Sequence, residues 1–175
     1  MTLHVHGLVG GHSGSEIDKG RANANILLGR LLFELHEALP FCIISVDGGD
    51  KDNAIPVDSK AEIVVSDEDI DEIQSLAAAF QEKVRSEFHV CDPVIAIDAD
   101  GRAEGGYEVF SMALTEKVIF MLMQVPNGIQ TMSADLPGLV ESSLNLGVLE
   151  TTEEGVAMTW AIRSSVKSLK ELMKD

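Results

Sequence analysis

The order of short strands and amphipathic helices over residues 1–101 constrains the fold more than any other feature. Leu3 and Val5 alternate with two histidines over 2–8, which is typical of a half-buried strand. Leucines recur at helical spacing over 21–39, and a second helical stripe follows Ser66. Further strand patterns occur at 41–46, 61–65 and 94–97. This order predicts an α+β fold with a split βαββαβ (ferredoxin-like) core, an antiparallel sheet that carries helices on one face.

The residues after this core predict an additional helix and a β-hairpin. An apolar helix is expected over 108–124, followed by two strands at 139–149 and 156–163. No low-complexity linker divides the sequence. We therefore expect one domain over 1–175, with the core at 1–101 and the elaboration at 102–175.

In both strands of the hairpin the apolar face consists of even-numbered residues. The two apolar faces therefore align only if the numbers of paired residues have an even sum. A three-residue loop over 152–154, with Gly155 in a bulge, would satisfy this requirement. Asn145 and Arg163 then become diagonal neighbours on the opposite, more polar face.

The charge of the chain excludes some partners. With 13 basic and 29 acidic residues the net charge is −16, which argues against nucleic acid and against an anionic membrane surface. No stretch approaches the roughly 18 apolar residues of a membrane span, and the first residues lack the pattern of a signal peptide. Two cysteines, Cys42 and Cys91, predict a reduced, cytoplasmic setting and no disulfide framework.

Three polar side chains occur where a substrate could reach them. His12 lies in a glycine turn and could donate to an oxyanion, although a solvent-facing loop histidine has the same pattern. Asn53 could offer an amide to a substrate or simply form a turn. Arg163 ends an apolar strand and could bind a carboxylate in a bidentate manner, or be a surface charge.

Metal ligands are sparse in the sequence. His4 and His6 lie two apart on one strand face and could chelate a cation, but no third ligand is evident beside them. Asp47, Asp50 and Asp52 lack the spacing of a calcium loop. The sequence therefore predicts no metal site within this chain.

Five motifs occur in a fixed order along the chain. They are Gly-Gly-His-Ser-Gly at 10–14, Gly-Arg-Ala-Asn-Ala-Asn at 20–25, Gly-Gly at 48–49 leading to Asn-Ala-Ile-Pro at 53–56, Pro-Asn-Gly at 126–128, and Glu-Ser-Ser-Leu-Asn-Leu-Gly-Val at 141–148 followed by Ile-Arg-Ser at 162–164. Together they resemble the lid, or dimerisation, domain of aminoacyl-histidine dipeptidases. These Xaa-His dipeptidases, or carnosinases, are dinuclear zinc exopeptidases.

The resemblance implies a role for each candidate residue. His12 is expected to be the catalytic residue that stabilises the tetrahedral intermediate. Asn53 and Arg163 are expected to contact the substrate, and we add Asn145 to the substrate-binding residues. The arginine of simpler relatives would fall at Ser66, so its carboxylate-binding role is transferred to Arg163.

The resemblance also implies what lies outside this chain. In such enzymes the lid is inserted between two halves of a catalytic domain that binds two zinc ions through a His-x-Asp motif and further ligands. This sequence has no His-x-Asp. We therefore expect a lid-domain fragment, inactive alone, whose partners are a dipeptide, the catalytic domain of the same polypeptide and a second copy in a homodimer. The alternative is a free-standing, non-catalytic α+β homodimerisation or interaction module.

Overall fold

The computed structural model describes residues 1–101 and 103–174. Its strands are β1 (Thr2–His6), β2 (Gly11–His12), β3 (Cys42–Gly48), β4 (Ala54–Ile55), β5 (Ser59–Val64), β6 (Ala96–Asp100), β7 (Gly128–Met132), β8 (Val140–Thr152) and β9 (Gly155–Ser164). Its α-helices are α1 (Ala24–Ala38), α2 (Ile70–Glu87), α3 (Met112–Gln124) and α4 (Lys167–Leu172).

The main sheet begins with four antiparallel strands in the order β6-β1-β5-β3. With α1 after β1 and α2 after β5, this is the topology of a split βαββαβ unit. The prediction of an α+β fold with an antiparallel sheet is thereby confirmed.

A leucine-rich core holds the helices against one face of the sheet. The leucines of α1 are at most 1% exposed, because this helix packs against the sheet and contacts both α2 and α3. Gly29 permits the close approach of α3: a Cβ at this position would lie 2.7 Å from the Cβ of Leu122. On the sheet side, Leu3 and Val5 are fully buried, so the histidines that alternate with them point to the other face.

Strand β8 joins the hairpin to this core. It pairs with β7 and, through Gly48 and Leu149, with β3, while β9 adds to it as well. The sequence interpretation did not include β7, whose residues are mostly exposed and lack a clear apolar alternation. Helix α3 begins at Met112, later than expected, because Ser111 caps it by accepting a hydrogen bond from the Leu114 amide.

The polar residues of the hairpin pair as expected, but the turn and the position of the bulge differ from the prediction. Asn145 pairs with Ala161, and Arg163 pairs with Ser143. The turn between β8 and β9 has two residues, Glu153 and Glu154, rather than three. The missing residue is supplied by a bulge at Gly147, where the register shifts between Leu146 and Val148.

Two further observations concern the chain as a whole. Within 1–101 and 103–174, every helix is too short or too polar to cross a bilayer. Cys42 and Cys91 are both unpaired and partly buried.

Candidate functional site around His12

A buried carboxylate anchors both ends of the loop that carries His12. Asp92 is fully buried, and its two oxygens accept 2.7 Å hydrogen bonds from the backbone amides of Val9 and Ala22. Residues 10–21 therefore form a loop whose two ends are fixed to one side chain. A rigid loop can hold a catalytic side chain in one orientation.

Backbone amides fix the His12 ring. Its Nδ1 accepts hydrogen bonds from the amides of Gly14 and Ser15, each at 3.1 Å, and lies 3.2 Å from the Ser15 hydroxyl. A nitrogen that accepts from N–H groups carries no proton, so the proton of the neutral ring lies on Nε2. The side chain is exposed, so Nε2–H is available as a donor to a ligand.

An ion pair closes the same loop from the other side. Glu16 accepts a 2.9 Å hydrogen bond from the His12 amide and pairs with Arg21 at 3.0 Å. Arg21 also donates to the carbonyl of Gly10. The His12 amide, followed by the Arg21 guanidinium, holds the pKa of Glu16 below its ordinary value.

Asn53 lies beside His12 because β2 pairs with β4. His12 is the register partner of Ala54, and the Ser13 amide donates a 2.9 Å hydrogen bond to the Asn53 carbonyl. The Asn53 side chain is exposed. Two predicted site residues, distant in sequence, are therefore brought to the same surface.

Asn145 lies beneath this surface and holds the Asn53 loop. Its amide donates to the carbonyls of Asp52 and Ala54 at 2.9 and 2.8 Å, on either side of Asn53. The side chain is 1% exposed. This geometry makes Asn145 a positioning residue for Asn53, and its direct contact with substrate stays a prediction.

A chain of asparagines extends from Asn145 to the start of α1. Asn23 caps the helix by accepting from the amides of Asn25 and Ile26, and its own amide donates to Asn145 Oδ1 at 3.3 Å. Asn23 also contacts Asn127, whose Oδ1 accepts from the Leu146 amide at 2.9 Å. The helix, β8 and the Asn53 loop are thus tied by one buried polar network.

Arg163 lies across Gly14 from His12. A Cβ at residue 14 would lie 2.9 Å from both Arg163 Cζ and His12 Cε1, so the two groups are at most twice that distance apart. The guanidinium lines a cavity of about 340 Å³ together with Gly14, Ser143 and Lys170. Its Nε is buried and has no partner within the described residues. An unpartnered guanidinium donor favours an anionic ligand, although the cavity wall carries Glu141 as well as Lys170.

The structure therefore brings His12, Asn53 and Arg163 together, with Asn145 behind them. These residues are donors and do not form a metal-ligand set. Among the residues described, one group brings three metal-ligating side chains together, namely His4, His6 and Asp98, and it shares no residue with the His12 site. The described residues beside His12 do not provide the ligands that two zinc ions would need.

Sequence reasoning missed the residues that support the site. Glu16 and Arg21 are five residues apart and form an ion pair across the loop, and Asn23 lies in a motif whose residue types alone do not indicate its role. Asp92 had no local signal, because its partners are 70 and 83 residues away. Only the folded backbone shows that this carboxylate is a loop anchor.

Comparison with known proteins agrees with these features. The model of the peptidase dimerisation domain family matches residues 3–90. Over 169 residues the chain is 36% identical to the cytosol non-specific dipeptidase of Escherichia coli (strain K12), covering 97% of this chain and 35% of that protein.

The fold also matches a solved structure over almost its whole length. The crystal structure of aminoacylhistidine dipeptidase from Vibrio alginolyticus superposes with a TM-score of 0.94 at 33% identity, covering 99% of this chain and 35% of that one. The chain thus spans about a third of the length of each relative. On the family match and this likeness, the chain belongs to the peptidase dimerisation domain family.

Proposed function

We propose that this chain is the lid domain of a dipeptidase and supplies part of its substrate site. The support is that both relatives are named as dipeptidases and match nearly the whole chain. The lid would comprise residues 1–175, and the E. coli relative's name supports a cytoplasmic setting.

The observation that carries the proposal is the fixed tautomer of His12. With Nδ1 accepting from two backbone amides, Nε2–H points to solvent as a preorganised donor. In peptide hydrolysis negative charge develops on the carbonyl oxygen, and a preset donor stabilises it without reorganisation. We assign His12 this oxyanion role.

Arg163 would select for a short substrate. The carboxylate of a dipeptide lies one residue from its only peptide bond, a span of about 3.3–3.6 Å of extended chain. A Cβ at Gly14 would lie 2.9 Å from Arg163 Cζ and from His12 Cε1, so the two side chains are close enough for one short ligand to contact both. If Arg163 binds the carboxylate while His12 meets the peptide carbonyl, longer peptides are rejected. Asn53, exposed beside His12, would orient the substrate by its amide.

Hydrolysis itself would be carried out elsewhere. The zinc ions of a dinuclear exopeptidase would activate water, and we propose that their ligands belong to a catalytic domain of the same polypeptide. This chain by itself is then inactive. Preference for Xaa-His dipeptides would depend on a pocket shared with that domain.

The proposal is tested by hydrolysis of an Xaa-His dipeptide and of the same dipeptide with an amidated C-terminus. The assay uses an intact enzyme containing this chain. We expect the amide to be a poor substrate, and Arg163→Gln to remove the difference mainly through KM. Arg163→Lys should restore only part of it, because a point charge lacks the bidentate geometry. Equal turnover of dipeptide and amide by the unmodified enzyme would contradict the proposal.

We further propose that the chain pairs with a second copy. The support is the family description, a dimerisation domain, together with β9, a ten-residue strand that pairs with β8 alone among the described strands. An unpaired strand edge is a template for pairing with another chain. Sedimentation should give a dimer that Thr159→Lys, on this edge, shifts towards monomer. A monomeric unmodified chain would contradict pairing.

A further inference from the structure

Two histidines on the open face of the sheet lie close enough to share a ligand. His4 and His6 occupy alternate positions of β1, and their rings stack with centroids 4.4 Å apart. Their side chains are 24% and 34% exposed, so solvent reaches both. Neither belongs to the His12 site.

Carboxylates from two other segments complete the group. Asp98 of β6 lies 2.9 Å from His6 Nε2, and Asp58, just before β5, lies 2.5 Å from His4 Nε2. Strand pairing causes this, because Asp98 is the register partner of His4 on one side of β1. The fold thus supplies the third ligand that the sequence did not reveal.

We propose that His4, His6 and Asp98, with Asp58 beside them, bind a divalent transition-metal ion such as Zn²⁺. One ligand atom from each of the first three can be chosen so that all lie within 4.8 Å of one another. Tetrahedral zinc with bonds of about 2.0–2.1 Å places its ligand atoms roughly 3.4 Å apart, an adjustment that side-chain rotation can supply. Two imidazoles with carboxylates suit zinc and its neighbours better than calcium or magnesium.

The charges around the group favour a cation, with one exception. On the same face, Glu62 and Asp100 flank Thr2, the residue two before His4. Lys60 of β5 is the register partner of His4 and opposes binding. Among the described neighbours named here, four carboxylates against one lysine leave the surroundings negative, as in the chain overall. Removing the charge of Lys60 should therefore strengthen metal binding, whereas removing a ligand should weaken it.

A bound ion would stabilise the pairing of the edge strand β6 with β1. Strand β6 is at the edge, pairs with β1 alone among the described strands, and carries Asp98. A metal shared by β1 and β6 links them at a side chain as well as through the backbone. Because binding to the folded state stabilises it by mass action, Zn²⁺ should raise the thermal midpoint.

The test is a calorimetric titration of the untagged, chelator-treated 175-residue chain with ZnCl₂. We expect saturable binding of one ion per chain. His6→Gln and Asp98→Asn should each weaken binding at least about 10-fold, since even outer-shell partners of a metal are worth 10–100-fold. Lys60→Met should tighten it, and His89→Gln, an exposed histidine after α2, should change nothing.

Asp98→Asn keeps the proposal falsifiable if a histidine variant fails to fold, because Asp98 is exposed and the amide has the same shape. Circular dichroism without metal checks the fold of each variant. Absence of saturable binding would overturn the proposal. Binding that His6→Gln, Asp98→Asn and His89→Gln leave equally strong would also overturn it.

Discussion

His12 and His6 lie six positions apart and use opposite ring nitrogens. His12 gives Nδ1 to the amides of Gly14 and Ser15, which leaves Nε2 facing solvent. His6 gives Nε2 to Asp98 on the neighbouring strand. A glycine turn offers backbone donors to a ring, whereas a strand face offers only side chains. The backbone around each histidine therefore decides whether its Nε2 faces solvent or contacts a carboxylate.

The largest expected effect separates these two sites by activity. In an intact enzyme containing this chain, His12→Ala should lower kcat by roughly 10²–10³, the range for loss of one oxyanion donor. His6→Ala, on the open sheet face, should leave kcat within about twofold, since the side-chain partner of His6 is Asp98, outside the His12 site. Steady-state kinetics measures both. Similar losses for both variants would contradict the distinction.

A carboxylate lies in each of the two regions, and the two differ in burial: Asp92, which holds the His12 loop, is buried, whereas Asp98, beside His6, is exposed. Asp92→Ala leaves the buried Ala22 amide and the partly buried Val9 amide without acceptors, and we expect the free energy of unfolding to fall by about 3 kcal/mol. Asp98→Ala removes an exposed partner of His6 and should cost under about 1 kcal/mol. Chemical denaturation of both variants without metal measures the difference. Equal losses would show that Asp92 is not an anchor.

A single methyl group can disturb the His12 site while leaving the histidine pair unchanged. Gly14→Ala places a Cβ 2.9 Å from His12 Cε1 and from Arg163 Cζ, so both groups must shift. We expect kcat/KM to fall by about 10–100-fold, because displacement of reacting groups by 1 Å can cost about 10²-fold. The ring resonances of His4 and His6 should not move in NMR spectra. An unchanged kcat/KM would mean that the two groups do not act together.

The smallest effect concerns the ion pair beside His12. The folded-state pKa of Glu16 is below its ordinary value of 4.5, so its contribution to stability is present above pH 4.5 and is lost as the pH falls through the lowered pKa. Glu16→Gln should lower the thermal midpoint slightly at pH 7, and the difference from the unmodified chain should vanish in acid. A difference that grows in acid would contradict this sign.

The sequence predicted the parts of the fold that depend on periodicity. The leucines of α1 and the alternation around Leu3 and Val5 identified buried faces, because burial repeats with the period of each element. The order of elements indicated the split βαββαβ core, and the antiparallel sheet agrees with it. Strand β7 was missed because an exposed strand carries little apolar pattern.

The sequence indicates the exposed residues of the candidate site, but it does not indicate the buried residues that hold them in place. His12, Asn53 and Arg163 were chosen by glycine context, motif and strand end, and the fold brings them together. Their support by Asp92 and Asn23 depends on hydrogen bonds across 70 to 123 residues, which leave no local signal. Asp98 beside His6 was hidden for the same reason, since 92 residues separate them.

The extra residue of the hairpin lies at the Gly147 bulge, and the same strand pairing could be reached with that residue in the turn. A two-residue turn with one extra residue at Gly147 pairs Asn145 with Ala161, and a three-residue turn without the bulge would give the same pairing. An insertion in the turn and a deletion at Gly147 therefore compensate each other in register, although each alone would shift Asn145 relative to Arg163. Yet a Cβ at 147 would lie 2.5 Å from the Asp52 backbone, so the bulge also fits against the Asn53 loop. The extra residue could therefore move from the bulge to the turn only if another contact held the Asn53 loop.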